Sequence, residues 1–187
     1  MHEMTKLQFR GAIAAVALLA AGPAMSAAKN PMVGGAAMYP TKTIVENAVN
    51  SKDHTTLVAA VKAAGLVDTL SGPGPFTVFA PTNAAFAKLP AGTVDTLVKP
   101  ENKATLTNIL TYHVVAGTMT SKQIAAAIKA GGGKATLTTV QGEPLTASMM
   151  GKTLMLTDAK GGTSHVTIKD VMQSNGVIHV VDTVLMP

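Results

Sequence analysis

The adjacent side chains of Tyr112 and His113 are the pair in this sequence best suited to proton transfer. An imidazole titrates near neutral pH, and beside a phenol it could act as a general acid or base. The same two groups could instead hydrogen-bond to the backbone where a helix passes into a strand, because buried polar groups require partners. We interpret the pair as structural, and we predict no catalytic residue in this chain.

The remaining histidines and the serines lack the spacing that reaction centres require. His179 shares a predicted strand face with Val177 and Val181, where a lone imidazole is usually packed and hydrogen-bonded. No two histidines are two or four residues apart, the spacing that would direct two imidazoles at one metal ion. No serine lies in a G-x-S-x-G turn, and the glycine runs at 131–133 and 161–162 lack the lysine and hydroxyl of a phosphate-binding loop. We therefore expect no enzyme, metal site or cofactor.

The charged and aromatic residues argue against a nucleic-acid partner. The chain carries 15 lysines and arginines against 10 acidic residues, a formal charge of +5. Its one arginine, Arg10, lies in a segment that we expect to be removed, and lysine cannot form the bidentate fork that reads bases. Aromatic residues make up 3%, too few for a base-stacking platform. The lysines are dispersed, a pattern typical of a solvated surface that attracts anionic polysaccharide or lipid headgroups only weakly.

Residues 1–28 have the pattern of a signal peptide. Lys6 and Arg10 precede an apolar run over 11–21, and small residues at 24–26 or 26–28 suit a signal peptidase. The apolar run is shorter than the roughly 20 residues that span a bilayer. We therefore predict cleavage, a mature protein that is not integral to the membrane, and a periplasmic or secreted location. Without cysteine, the exported domain must be stable without disulfides.

The stretch 29–42 is predicted to be a flexible leader, since it contains proline and paired glycines and has neither helical nor strand periodicity. A single domain is predicted over 43–187. Capping boxes at 43–46 and 120–123 predict two helix starts, and Asp53 is expected to cap a helix that Gly65 ends. Helices are expected after residue 43, from 53 to 64, after Thr82 or Asn83, from about 101 to 110, and from 121 to 130.

The second half of the domain has the two-residue periodicity of strands. An earlier run at 76–80 has the aromatic and β-branched content of a buried strand. Later strands are expected at 135–140, 145–149, 153–158, 165–169 and 177–182, separated by glycine turns. Closely spaced strands of this kind indicate a mostly antiparallel sheet. The predicted fold class is α+β, with helices concentrated in the first half.

Three stretches together resemble the fasciclin-like domain family. They are residues 77–86, the Tyr112–His113 pair with the two valines that follow, and residues 175–185. The resemblance covers about 44 to 187. Asn83 stands where the family more often has aspartate; both side chains can accept a backbone hydrogen bond, so the structural role is kept and a charge is lost. The loss weakens any adhesive role that depends on a carboxylate at this position.

The resemblance implies a compact β-sandwich or wedge decorated with helices, in a family that is secreted or surface-bound, non-catalytic as a class and associated with cell adhesion. We expect a binding module whose sheet-edge loops and Thr82–Asn83 turn contact a surface protein or a glycan. Tyr112, His113 and His179 are further motif residues, interpreted as structural.

The alternative is a carrier of an apolar small molecule, because a few family members hold carotenoid-like ligands. Such a carotenoid- or lipid-like ligand would lie in a groove lined by valine and methionine, since flexible thioethers suit an adaptable apolar surface. The methionines considered are Met119, Met149, Met150, Met155, Met172 and Met186.

Overall fold

The computed structural model describes residues 30–187, so the predicted signal peptide lies outside the described residues. The helices are α1 (Ile44–Ala48), α2 (Thr55–Ala64), α3 (Val67–Ser71), α4 (Asn83–Ala87), α5 (Thr93–Leu97), α6 (Lys103–Tyr112) and α7 (Ser121–Ala130), with 3-10 turns at Lys52–His54 and Pro100–Asn102. The strands are β1 (Met32–Val33), β2 (Ala36–Ala37), β3 (Phe76–Pro81), β4 (Val114–Ala116), β5 (Lys134–Thr138), β6 (Pro144–Met150), β7 (Thr153–Thr157), β8 (Thr163–Gln173) and β9 (Gly176–Val181). The α+β class is confirmed.

The main sheet has seven strands in the order β4-β3-β9-β8-β7-β6-β5. Its neighbouring strands are antiparallel except for β3 and β9, which pair in parallel from Phe76 beside Gly176 to Pro81 beside Val181. The sheet curls so that its two edge strands, β4 and β5, approach each other. The Val140 N–H, just after β5, donates to the Val114 carbonyl of β4 at 2.7 Å. A mostly antiparallel sheet was expected, but the parallel pair formed by its second and third strands was not.

Two separate cores lie on the two faces of the β3–β9 pair. Side chains alternate along a strand, so Val78 and Ile178 face the core shared with the N-terminal helices, whereas Phe79 and Val181 face the core inside the curled sheet. Every residue of β9 is buried as a result. A strand covered on both faces is the most protected place in this fold.

The predicted helix starts and ends are partly confirmed by the structure. Both capping boxes form, with Thr43 and Thr120 as the capping residues, and Gly65 ends α2 in the left-handed conformation at φ 72°. Asp53 does not cap α2, so that prediction is wrong: the chain first makes the 3-10 turn Lys52–His54, which leaves Asp53 exposed. The short helices α3 and α5 were missed because each has only five residues and too little periodicity to detect.

The stretch predicted as a flexible leader, 29–42, contains two short strands that its lack of periodicity did not indicate. Residues 32–37 form the β1–β2 hairpin, and Val33 and Met38 are buried in the helix-side core. The two apolar side chains bury because the turn at Gly34 and Gly35, both with positive φ, folds the stretch back on itself. Gly34 also lies so close to Ser51 that a Cβ would be 2.4 Å from its hydroxyl oxygen.

Asn175 joins the N-terminal helices to the start of β9. Its side-chain oxygen accepts from the Ile44 N–H at 3.0 Å, and its amide donates to the carbonyls of Leu70 at 2.8 Å and Gly72 at 3.0 Å. One buried side chain thereby satisfies backbone groups at the start of α1 and the end of α3. In the part of the chain that the structure describes, no helix is long and apolar enough to cross a membrane.

Candidate functional site

Tyr112 and His113 end α6 and fasten it to three other segments. The Tyr112 hydroxyl donates to the Pro144 carbonyl and accepts from the Ala159 N–H, both at 3.1 Å. His113 Nδ1 lies 2.8 Å from the Ile109 carbonyl, and its Nε2 accepts from the Leu185 N–H at 3.0 Å. Both ring nitrogens are therefore used by the backbone in a neutral imidazole.

The environment of this pair opposes proton transfer at neutral pH. Burial lowers the pKa of the His113 imidazole to about 4. Burial likewise raises the pKa of the Tyr112 phenol. Both shifts favour the uncharged forms, because charge is poorly solvated in the interior. These contacts support the structural interpretation of the pair.

His179 lies in β9 and links it to the segment before α7 and to β8. Its Nε2 donates to the Met119 carbonyl at 2.9 Å, its Nδ1 accepts from the Asp170 N–H at 3.3 Å, and its ring stacks on Phe79 with centroids 5.6 Å apart. Burial lowers the pKa of His179, so the ring is held neutral. Asp170 in turn accepts from the Ser121 N–H at 2.6 Å, which ties the start of α7 to β8.

The Thr82–Asn83 turn is occupied by internal hydrogen bonds. Thr82 caps α4 by accepting from the Ala85 N–H at 3.2 Å, which decides between the two capping candidates. Asn83 instead serves the neighbouring helix: its oxygen accepts from the Thr56 N–H at 3.0 Å, and its amide donates to the Lys52 carbonyl at 2.9 Å. An aspartate could accept the first bond but could not donate the second. The asparagine therefore suits this contact better than an aspartate would.

The predicted site residues are not brought together. Within residues 30–187, no side-chain hydrogen bond or ion pair links the Thr82–Asn83 turn, the Tyr112–His113 pair and His179 to one another. The described residues also contain no group of three or more histidine, aspartate or glutamate side chains that could hold a metal ion.

An interior cavity lies between the N-terminal segments and the sheet, with a volume of about 50 Å³. Aliphatic side chains form most of its wall, including Val33 and Met38 from the hairpin region, Leu57 and Val61 from α2, and Val78 and Ile178 from the sheet. None of the six methionines that we expected in a ligand groove lines it. Of those six, Met149, Met150 and Met172 are exposed instead.

His54 is the unusual group in the wall of this cavity. The side chain is buried, with Nδ1 2.9 Å from the Ser51 hydroxyl oxygen, and its Nε2 has no hydrogen-bond partner among the described residues. Burial lowers its pKa, an effect that the nearby Ala80 carbonyl partly opposes. In the sequence, His54 was weighed only among the histidines that could ligate a metal, and its position just before an apolar helix was the available sign that it would be buried.

A second candidate is a shallow surface depression of about 160 Å³ between the start of α7 and the strands β6 to β8. Three lysines line it together with a few apolar side chains, and we call it the lysine surface; it comprises Ser121, Lys122, Ala125, Met149, Lys152, Leu154 and Lys169. These three lysines are dispersed in the sequence because they come from separate elements, so their proximity could not be predicted.

Comparisons with known proteins agree with this architecture. A profile of the Fasciclin domain matches residues 52–187. Protein sll1483 of Synechocystis is 48% identical over 161 residues, which cover 85% of this chain and 81% of that protein. Immunogenic protein MPT70 of Mycobacterium tuberculosis is 39% identical over 179 residues, covering 91% and 82% respectively. Cell surface glycolipoprotein MPB83 of Mycobacterium bovis is also 39% identical over 179 residues, covering 91% of this chain and 72% of that protein.

Among solved structures, a FAS1 domain pair from the insect cell adhesion molecule Fasciclin I matches with a TM-score of 0.69 at 19% identity. The match covers 78% of this chain and 51% of that chain, so this chain spans about half of the insect pair. At this identity the likeness concerns the fold.

Replacing Asn83 by alanine is expected to lower the free energy of unfolding by about 1 kcal/mol, because the Thr56 N–H and the Lys52 carbonyl lose their partner. Urea denaturation monitored by circular dichroism would measure the change. Asn50→Ala is the matched control, since Asn50 is exposed and its side chain bonds only to the Glu46 carbonyl of α1, the helix that it follows. If Asn83→Ala abolished attachment to a partner with no change in unfolding, the turn would be a contact site and not a structural one.

Stability is expected to fall as the pH drops from 7 to 5. The unfolded chain protonates histidine near pH 6.5, whereas folded His113 stays neutral down to about pH 4, so the unfolded state binds more protons in this window. His113 alone accounts for about 2 kcal/mol between pH 7 and pH 5, and buried His54 and His179 act in the same direction. Urea unfolding at both pH values tests the loss, and equal free energies of unfolding would contradict it.

Proposed function

The chain belongs to the fasciclin domain family, and from this premise we propose that it is an exported, non-catalytic module that attaches to a protein or glycan at the cell surface. Fasciclin domains are generally non-catalytic binding modules. One homologue is named a cell surface glycolipoprotein, and the predicted signal peptide at 1–28 is consistent with export. The location that we propose is periplasmic or extracellular.

The non-catalytic part of the proposal rests on one observation. The imidazoles best suited to proton transfer are hydrogen-bonded to the backbone. Both ring nitrogens of His113 and of His179 bond to main-chain groups in the interior. A general acid or base must reach the proton that it transfers, and these rings are closed off from a substrate in solution.

The lysine surface is the better candidate contact for a partner than the Thr82–Asn83 turn. The polar groups of that turn are already engaged, whereas Lys122, Lys152 and Lys169 are exposed and, within the described residues, form no ion pair. The neighbouring Asp170 carboxylate is occupied by hydrogen bonds from Ser121. With Met149 39% exposed beside these lysines, the surface combines positive charge with apolar area and favours an acidic partner.

Reversing two charges of the lysine surface is expected to weaken attachment. We would measure sedimentation of the labelled mature protein with envelope fragments of its own cells, comparing the Lys152→Glu/Lys169→Glu double variant with wild type. The loss should be about tenfold or more at low salt and smaller at high salt, because salt screens the attraction between the lysines and an acidic partner. The control is Lys99→Glu/Lys103→Glu, which reverses two exposed lysines elsewhere in the chain.

Equal losses in the two double variants would overturn the lysine surface as the contact. An absence of saturable sedimentation by the wild-type protein would overturn attachment itself.

The second candidate function is the carrier of an apolar small molecule, and the interior cavity is the observation that favours it. Its volume of about 50 Å³ is well below the roughly 300–1,000 Å³ of sites that hold drug-sized ligands. A carotenoid or a long lipid would require the hairpin and helices to separate, whereas a much smaller molecule fits the cavity as it stands.

Protein purified from its own cells tests the carrier function directly. If the chain is a carrier, a mass spectrum of its organic extract will contain one small apolar compound at a stoichiometric amount, and its absorbance spectrum will reveal any pigment. An extract without such a compound would contradict the carrier function and leave the attachment proposal unaffected.

A further inference from the structure

The hairpin formed by β6 and β7 projects beyond the strands on either side of it. On one side, the pairing of β6 with β5 ends at Ser148, which lies opposite Lys134 at the start of β5. On the other side, the pairing of β7 with β8 begins only at Met155. The five residues 149–153 between these points are all exposed, and we call them the hairpin tip. The tip is therefore free to enter a neighbouring surface.

Two methionines lie in the hairpin tip, and both are open to solvent. Earlier in β6 the burial alternates, with Leu145 and Ala147 in the core inside the curled sheet. Met149 and Met150 are 39% and 55% exposed, although consecutive strand residues point to opposite faces. A single apolar residue on a surface needs no explanation, but two neighbours at a projecting turn form an apolar end. Removal of this end from water is favourable, and flexible thioether chains can adapt to a fluid surface.

Lysines flank the two methionines. Lys152 lies in the hairpin tip itself, and Lys122 of α7 and Lys169 of β8 line the same surface depression as Met149. All three lysines are exposed. Their aliphatic stems can lie along an apolar surface while the ammonium groups stay in water. Positive charge around an apolar end suits contact with a lipid surface that carries anionic headgroups.

Acidic side chains do little to offset this positive charge. Neither α7 nor residues 144–157 contain an aspartate or a glutamate. Asp170, next to Lys169 in β8, accepts hydrogen bonds from both the N–H and the hydroxyl of Ser121. One carboxylate that is already hydrogen-bonded and three exposed lysines leave this surface attractive to anions.

We propose that the lysine surface and the hairpin tip dock the protein on a lipid bilayer with anionic headgroups. Met149 and Met150 insert among the lipids, and the three lysines lie at the headgroups. A projecting apolar end needs a partner that yields to it, and a fluid bilayer does so without a preformed pocket. The contact is peripheral, because only two side chains enter the lipid. It goes beyond the proposed attachment to a protein or glycan, although it uses the same lysines and likewise requires export.

Sedimentation of the mature protein with lipid vesicles at low salt tests the docking. Vesicles of equal parts phosphatidylcholine and phosphatidylglycerol should bind it about a hundredfold more tightly than vesicles of phosphatidylcholine alone, because each of three lysines near an anionic surface contributes about fivefold. The preference should shrink at high salt, where the lysine charges are screened. Equal affinity for the two kinds of vesicle, or no binding to either, would overturn the proposal.

The Met149→Ser/Met150→Ser variant separates insertion from attraction by charge alone. It keeps every lysine, and its affinity for the anionic vesicles should fall about tenfold because the apolar end is lost. Met32→Ser/Val49→Ser is the matched control, since it removes two exposed apolar side chains outside the lysine surface and should bind like the wild type. An affinity of the Met149→Ser/Met150→Ser variant equal to that of the control would overturn docking by the hairpin tip.

A measurement on the wild-type protein makes the test independent of the variants. The methionine methyl groups are labelled with ¹³C, and the protein is added to bicelles of the same anionic lipids with a spin label in an acyl chain. The methyl resonances of Met149 and Met150 should broaden, whereas that of Met32, which is also exposed, should not. Equal broadening of all three resonances, or of none, would contradict insertion.

Delipidated envelope fragments distinguish this contact from the proposed attachment. If the protein sediments with these fragments and not with anionic vesicles, attachment to a protein or glycan stands and membrane docking fails. If it binds the vesicles through the two methionines and not the delipidated fragments, membrane docking stands and the proposed attachment fails.

Discussion

The parallel pairing of β3 with β9 is the contact on which the rest of this fold depends. The two strands lie about a hundred residues apart in the chain and run side by side over six residue pairs. Their starts approach so closely that a Cβ on Gly74 would lie 2.0 Å from the Asn175 carbonyl oxygen, and one on Gly176 2.0 Å from that of Phe76. Only glycine permits this approach, and Asn175 then fixes the N-terminal helices to the same point.

The paired strands β3 and β9 also hold two of the interior histidines in place. Both His113 and His179 contact Phe79 of β3. The Phe79 N–H donates to the backbone carbonyl of His113, and the His179 ring stacks on the Phe79 ring. Both imidazoles have backbone partners for each ring nitrogen, so they act as neutral cross-links between elements. His54 differs, because its Nδ1 bonds to the Ser51 side chain and not to a backbone group.

Local signals in the sequence predicted much of this architecture. Capping boxes, Gly65 and the strand periodicity after Ala135 are short-range patterns, and each appears in the structure near its predicted position. The cavity and the lysine surface could not be predicted in this way, because their residues come from elements distant in sequence. The β1–β2 hairpin, residues 32–37, was missed for a similar reason: its two-residue strands are too short for periodicity, and Val33 packs into the helix-side core.

The long sequence separation between β3 and β9 has a kinetic consequence. A contact that closes so large a loop is entropically costly to form early, and folds dominated by such contacts generally complete slowly. The strand β9, which is buried on both faces, joins the sheet only when the segment 176–181 is available, so shorter nascent chains lack the strand that lies between the two cores. We therefore expect the two cores to close together and late, once residue 181 can pair with Pro81.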